Sequence, residues 1–558
     1  MSGTEVEIAA DRQPSPPTPL PPRQRGAADV PSPEAGKGGA KRRVRAFAAS
    51  PTLEAPADTP TKLDATRQWL IAQLQRPLLH WPIIAVLALF AAAAFIVPTL
   101  TPVATTDDWG YTRSVEILYH EHRLTVFPVV AATAVFQIGW GTLFALLFGM
   151  TLGVMRVATL VMVSLGALAL YALLRELGLS KGRSALGTAV YLFNPLTFIL
   201  SYTFMTDPYL TSLLIGASYF YVRGLRPGSE ATWAILAGSV IAACAFLTRQ
   251  QGALIPFAVV LYLILARRLW FNRASIRLVL KVVAIPVVAT VGYYLWLHFF
   301  NDVPAVQAGF FNEAKRAGVD GAWRLTRYLG VIELVYLGFF ALPIVAALVP
   351  ATRTAIRTMT RRAWIVFGVW ALLLWTGLVV FQMQGRVWPY VPQFVGAGGL
   401  GPPDVLGSRP RIFTGSFFDW ATAVVALSAL LLALFASRGP AAPPSPERSG
   451  AGLLLVIGFW QVVGILPPSF HYLRRGYSLD RYLLPMLPIA ICLLLWATRD
   501  LRLFQRVGWA IVALLLVFNV AATRDYLVYL GQVWETATKA HEQGVDSTKL
   551  DAGAAWDG

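Results

Sequence analysis

Apolar runs of roughly 20 residues recur from Trp81 almost to the end of the chain. A run of that length crosses the hydrocarbon core of a bilayer as an α-helix, because a helix satisfies its own backbone polar groups where no water can. A transmembrane β-barrel would need strands that alternate polar and apolar residues, and these runs are continuous. Of the 558 residues 56% are hydrophobic and only 14% charged, against about 25% charged in a soluble domain. The sequence therefore predicts an all-α, polytopic membrane protein.

The net charge is +17. In a soluble chain that excess would suggest a nucleic-acid partner. Here the basic residues sit mostly in short loops between apolar runs, where they set topology and meet anionic headgroups. The expected partner is the bilayer, not nucleic acid. Cys244 and Cys492 fall inside apolar runs and are expected to act as small hydrophobes.

Residues 1–65 are rich in Pro, Ala, Gly and Ser around the basic cluster Lys41-Arg42-Arg43-Arg45, and they can bury no core. They are expected to form a disordered cytoplasmic tail, with a short surface helix over 66–80. No apolar run lies beside Met1, so no cleavable signal peptide is expected. Spans are expected near 81–99, 154–174, 184–202, 208–223, 231–247, 252–266, 278–299, 331–350, 363–381, 420–437, 451–466, 483–497 and 508–522, thirteen in all. They belong to a membrane domain of residues 66–523, followed by a short extracytoplasmic tail over 524–558.

The apolar segment 127–150 has two placements. If it spans, the basic loop with Arg175, Lys181 and Arg183 falls outside. If it lies along the outer interface, that loop falls inside. So do the loops carrying Arg223 and Arg226, Arg267 to Arg277, Arg353 to Arg362, and Arg499 to Arg506. The second register works along the whole chain. It places the protein in the plasma (inner) membrane with its N-terminus cytoplasmic and its unusual polar residues at the extracytoplasmic side.

Three of those outer segments carry chemistry. Asp107 and Asp108 follow the first span. Two adjacent carboxylates near lipid repel, which raises at least one pKa and suits it to take a proton from a hydroxyl. The plainer reading is that one of them caps the helix expected over 109–122, which also presents Tyr111 and Arg113. Asp207 lies in a Thr-Asp-Pro turn at membrane depth. Charge there is costly and usually functional, but Asp207 could equally cap a helix beginning at Pro208. The segment 471–482 brings Arg474, Arg475 and Arg481 together with Tyr482. A phosphate is the natural partner for outer arginines, and Arg249 is a second candidate ligand. The plainer reading is a headgroup-contacting loop, or an ion pair of Arg481 with Asp480. His120-Glu121-His122 does not share a helix face at that spacing and reads as a solvated turn.

The order of these features resembles the GT-C glycosyltransferase superfamily, near its bacterial members related to protein O-mannosyltransferases and lipid A aminoarabinose transferases. The motifs are the first-loop acids with Tyr111 four residues after Asp107, the interfacial apolar segment, Asn194-Pro195, Thr206-Asp207-Pro208 and Arg481-Tyr482-Leu-Leu-Pro485. The likeness covers about residues 80–500. It implies a fold of about thirteen membrane helices with interfacial helices in the first outer loop. It also implies transfer of a sugar from a polyprenyl-phosphate donor to a lipid, glycan or protein acceptor at the outer face. By the same resemblance Asp107 is the catalytic acid of the first loop, with Asp108 in second position where those relatives usually carry Glu. Arg249, Arg474 or Arg475 would neutralise the departing phosphate, and Asp108 and Asp207 would orient the acceptor or hold a divalent cation. The large soluble domain of those relatives has no counterpart in residues 524–558. The competing classes are an outer-face oligosaccharide ligase or polymerase, which would not need the early acidic pair, and a lipid-linked sugar transporter, which would want charge within its spans.

Overall fold

The computed structural model describes residues 80–402, 410–439, 445–473 and 478–557. The expected N-terminal tail, the surface helix up to residue 79, and Arg474 and Arg475 lie outside the described residues. The described chain is almost wholly helical. Its first half runs α1 (Trp81–Ile96), α2 (Asp108–Glu121), α3 (Val135–Phe148), α4 (Leu152–Glu176), α5 (Lys181–Leu192), α6 (Pro195–Ser201), α7 (Thr206–Gly224), α8 (Thr232–Phe246) and α9 (Leu254–Leu265). Its second half runs α10 (Arg273–Trp296), α11 (Ala305–Leu348), α12 (Thr352–Arg357), α13 (Arg361–Met383), α14 (Gly415–Arg438), α15 (Ser445–Val463), α16 (Leu466–Leu473), α17 (Met486–Ala497) and α18 (Gln505–Glu542). Between α13 and α14 lies a small antiparallel hairpin of β1 (Val395–Gly396) and β2 (Gly399–Leu400).

Every expected span is occupied by a helix. Among the described residues eight helices are long and apolar enough to cross a membrane, or nine if α5 and α6 count as one bent span. The span expected over 184–202 is that bent pair, broken by 63°. Pro195 has no N–H to give and holds Asn194 extended (φ −64°, ψ 133°), while the Asn194 side chain accepts the Leu196 N–H at 3.1 Å and starts α6. The apolar stretch 127–150 is not one helix. Residues 127–134 form a loop, and the 14-residue α3 follows. Helix α3 rises about 21 Å, short of the about 30 Å of the hydrocarbon core, as α8 and α9 also are.

Helices α4 and α7 run from the acidic turns to the opposite end of the bundle. There Arg226 pairs with Glu176 at 2.7 Å, and Arg183 donates to the carbonyls of Thr498 and Arg499. The basic loops between spans therefore gather at one end, as the charge pattern requires. At the other end, the stretch 300–330 is largely helix. It joins the α11 span through a break at Gly318, whose φ of +58° suits a residue without a side chain. Helix α18 passes unbroken through residue 523, where a tail was expected to begin, and Tyr526, Leu527 and Leu530 are buried.

Candidate active site

The two neighbouring acids do different work. Asp108 is 2% exposed. Its Oδ1 accepts the N–H groups of Thr105 (2.8 Å) and Thr106 (3.0 Å), and its Oδ2 accepts the Thr105 hydroxyl (2.7 Å). The carboxylate thus folds the loop back on itself and satisfies donors that burial would otherwise strand. Asp107 stands at the N-cap position of α2 but makes no side-chain cap there. Its side chain is 63% exposed, and Oδ2 accepts from Arg481 Nη2 at 2.9 Å. Burial of one carboxylate leaves the other free to face whatever binds outside the bundle.

Arg481 comes from the turn Asp480–Leu483 before α17. Its expected pairing with Asp480 does not form. Asp480 is fully buried, and its Oδ2 accepts the N–H groups of Gln393 (3.3 Å), Phe394 (2.9 Å) and Val395 (3.0 Å). A carboxylate aimed at three backbone donors has no reason to turn to a guanidinium. Asp480 therefore fastens the β1–β2 hairpin, and Arg481 is left to Asp107.

Asp207 lies within the first turn of α7 and caps nothing. It is ion-paired with Arg249, which enters from the turn between α8 and α9. The Arg249 guanidinium lies 4.8 Å from the centre of the Tyr482 ring, and that of Arg481 lies 5.5 Å from the same ring. One aromatic ring thus gathers both cations. Tyr111 from α2 is 6% exposed and close enough to feel Asp107, Asp207, Arg249 and Arg481. Burial, the largest effect, pushes its phenol up to about 12. The Tyr111 hydroxyl therefore keeps its proton at ordinary pH. Together, Asp107, Tyr111, Asp207, Arg249, Arg481 and Tyr482 form one cluster drawn from four separate stretches of chain.

The side chains that hold this cluster in register escaped the sequence reading. Arg156 lies in the first turns of α4 and is 1% exposed. It donates to the carbonyls of Thr99 (3.0 Å), Thr101 (2.5 Å), Tyr202 (3.1 Å) and Val103. One guanidinium thereby ties the approach to Asp107 to the approach to Asp207. An arginine five residues into a 25-residue apolar helix was the available signal, because charge in a span is retained only with partners. Gln137 Nε2 donates to the Phe204 carbonyl at 2.8 Å, and the Tyr526 hydroxyl to that of Thr105 at 2.6 Å. No spacing in the sequence links residue 526 to residue 105.

For a divalent cation the sequence offered Asp108 and Asp207. The oxygens of Asp108 are engaged by Thr105 and Thr106, Asp207 is paired with Arg249, and the two do not converge. No group of three or more His, Cys, Asp or Glu side chains is arranged to hold a metal ion among the described residues.

Residues 139–294 match the family model of dolichyl-phosphate-mannose-protein mannosyltransferases. That match covers well under half of the chain. The matched segment runs from α3 through most of α10 and holds Arg156, Asp207 and Arg249. Among solved structures, the chain is similar to ArnT from Cupriavidus metallidurans bound to undecaprenyl phosphate, at 16% identity and a TM-score of 0.42, covering 85% of this chain and 84% of that one. The apo state of the same ArnT gives 16% identity and 0.39 over 88% and 84%. The oligosaccharyltransferase AglB from Archaeoglobus fulgidus, in complex with an inhibitory peptide and a dolichol-phosphate, gives 13% and 0.38 over 85% and 59%. No curated protein matches the chain by sequence.

Proposed function

We propose that this chain is a GT-C-type membrane glycosyltransferase that moves a sugar from a polyprenyl-phosphate donor to an acceptor hydroxyl at the extracytoplasmic face. The observation that carries the reading is an exposed carboxylate, Asp107, held 2.9 Å from the buried guanidinium of Arg481. In the reaction Asp107 takes the proton of the acceptor hydroxyl while its oxygen bonds to the anomeric carbon of the sugar. The bond from that carbon to the phosphate oxygen breaks, and the phosphate leaves with the electron pair. Arg481 and Arg249, clustered on Tyr482, meet the charge that grows on the phosphate, and this electrostatic role strengthens toward the transition state.

In the cluster two acids offset two arginines. A phosphate entering it must take over Arg481 or Arg249 from its carboxylate. Taking Arg481 also releases Asp107, so donor binding itself readies the base. Tyr111, held protonated, offers a further hydrogen bond to the phosphate or the sugar. Mannosyl transfer in the matching family agrees with a lipid-linked sugar donor.

The test is transfer of radiolabelled sugar from a panel of polyprenyl-phosphate sugars into extractable acceptors, with and without a chelator. Wild type is compared with Asp107→Asn and Arg481→Ala in matched membranes. Label should move with wild type and be lost in both variants. Unchanged transfer by Asp107→Asn would sink the assignment of the base.

A further inference from the structure

A second group of arginines stands apart from the cluster at the same end of the bundle. Helices α11 and α13 enclose a cavity of about 650 Å³, and Arg324, Arg327 and Arg386 line it with Tyr328. Arg386 donates to the Tyr328 hydroxyl at 2.6 Å and to the Tyr390 carbonyl at 3.0 Å, and its guanidinium lies 5.4 Å from the Phe381 ring. These contacts fix its plane. Arg324 and Arg327 are spaced three residues apart on one helix face and are exposed. Neither forms an ion pair among the described residues, and no acidic residue is among the described residues that line the cavity. The contrast with the first site is one of charge, since that cluster is neutral and this one carries three uncompensated cations.

The cavity continues away from the arginines as a greasy cleft. Val331 and Gly377 bring the two helices together at its floor, where any side chain on residue 377 would collide with Val331. Leu373 and Val380 form its side walls and are exposed on the outer surface of helices long enough to span a membrane. The cleft therefore opens toward the surrounding hydrocarbon. A cationic mouth above an apolar slot fits one kind of molecule, with an anionic phosphate ester at one end and a hydrocarbon tail at the other. Guanidinium groups bind phosphate oxygens in pairs, and positive charge beside a membrane attracts anionic lipid.

We propose that the cleft between α11 and α13 is a binding site for an anionic phospholipid of the bilayer. Its headgroup phosphate sits among Arg324, Arg327 and Arg386, and an acyl tail lies against Val331, Leu373 and Val380. The site is separate from the sugar-transfer cluster and needs no catalytic turnover to be seen.

The test is native mass spectrometry of the full chain in detergent, titrated with phosphatidylglycerol and with phosphatidylcholine of the same acyl chains. Wild type should hold phosphatidylglycerol at least tenfold more tightly than phosphatidylcholine. The Arg324→Ala/Arg327→Ala double variant should hold it about 30-fold more weakly than wild type, from the two surface cations lost. Thr376→Trp, which places an indole at the exposed wall of the cleft, should weaken both lipids without removing the preference. Both variants change exposed side chains, and a thermal unfolding scan in the same detergent checks that they fold. Equal binding of the two lipids by wild type would overturn the proposal, as would undiminished phosphatidylglycerol binding by the double variant. Binding of a polyprenyl monophosphate where phosphatidylglycerol fails would overturn it by assigning the cleft to the prenyl lipid. Displacement of phosphatidylglycerol by equimolar inorganic phosphate would overturn it by showing that the cleft holds no tail.

Discussion

Asp108 commits both carboxylate oxygens to Thr105 and Thr106, whereas Asp107 keeps its own in solvent beside Arg481. Substitution should separate them. Asp107→Asn keeps the shape and removes the base, so transfer should fall by about 10²- to 10⁴-fold with the unfolding temperature in detergent unchanged. Asp108→Ala strands the N–H groups of Thr105 and Thr106 at a cost of about 1–3 kcal/mol, so it should lower the unfolding temperature and lose activity along with the loop. Rate and melting point from one preparation of each variant decide the matter. The acidic pair itself was legible, because two carboxylates beside a span need a reason. Which of the two would face solvent was not, since that depends on the direction in which the loop folds back.

At the scale of elements, the site depends on turns held by side chains from distant helices. Arg156 is the clearest case, with four carbonyls of two turns on one guanidinium. Lysine keeps the charge but has one compact ammonium in place of a planar fork, so Arg156→Lys should leave some of those carbonyls without a donor. We expect it to slow transfer more than it weakens donor binding, because it shifts Asp107 relative to Asp207 while leaving Arg249 and Arg481 in place. A kcat loss with little change in KM supports this positioning role. Equal losses in both would point to general unfolding instead. The helices themselves were readable from apolar run length, but the expectation of one span over 184–202 missed the break that Pro195 imposes. The β1–β2 hairpin was not readable either, for its anchor is Asp480, some 85 residues further along the chain.

At the scale of the whole molecule, α18 crosses the expected end of the membrane domain and returns to the first loop through the Tyr526–Thr105 hydrogen bond. Both partners are buried, so Tyr526→Phe leaves a carbonyl unsatisfied and should cost about 1–3 kcal/mol, read as a lower unfolding temperature. Shortening the chain to end at Ala522 should abolish transfer, although it removes no residue of the charge cluster. An active truncated protein would show that the first loop holds its shape without α18. Orientation is testable on the same scale. His120 is exposed at the end of α2, and Cys492 is buried while Cys244 is only partly exposed. In intact cells, His120→Cys should therefore react with a membrane-impermeant maleimide well above the wild-type background if the site faces outward. Labelling only after the membrane is opened would place the site on the cytoplasmic side.

The sequence by itself determined the properties that act over short stretches of chain. Run length specified helices and membrane, and loop charge specified which ends of the helices lie together. It also named most members of the charge cluster, since polar residues in so apolar a chain are few and conspicuous. Only the tertiary structure decided how those residues pair. Asp107 meets Arg481 and Asp207 meets Arg249 across 374 and 42 residues of chain, and sequence periodicity is silent at such separations. Which carboxylate is buried, which guanidinium is shared by a ring, and which arginines are left uncompensated are consequences of packing, because a charge in low dielectric takes its character from the partner that the fold places beside it.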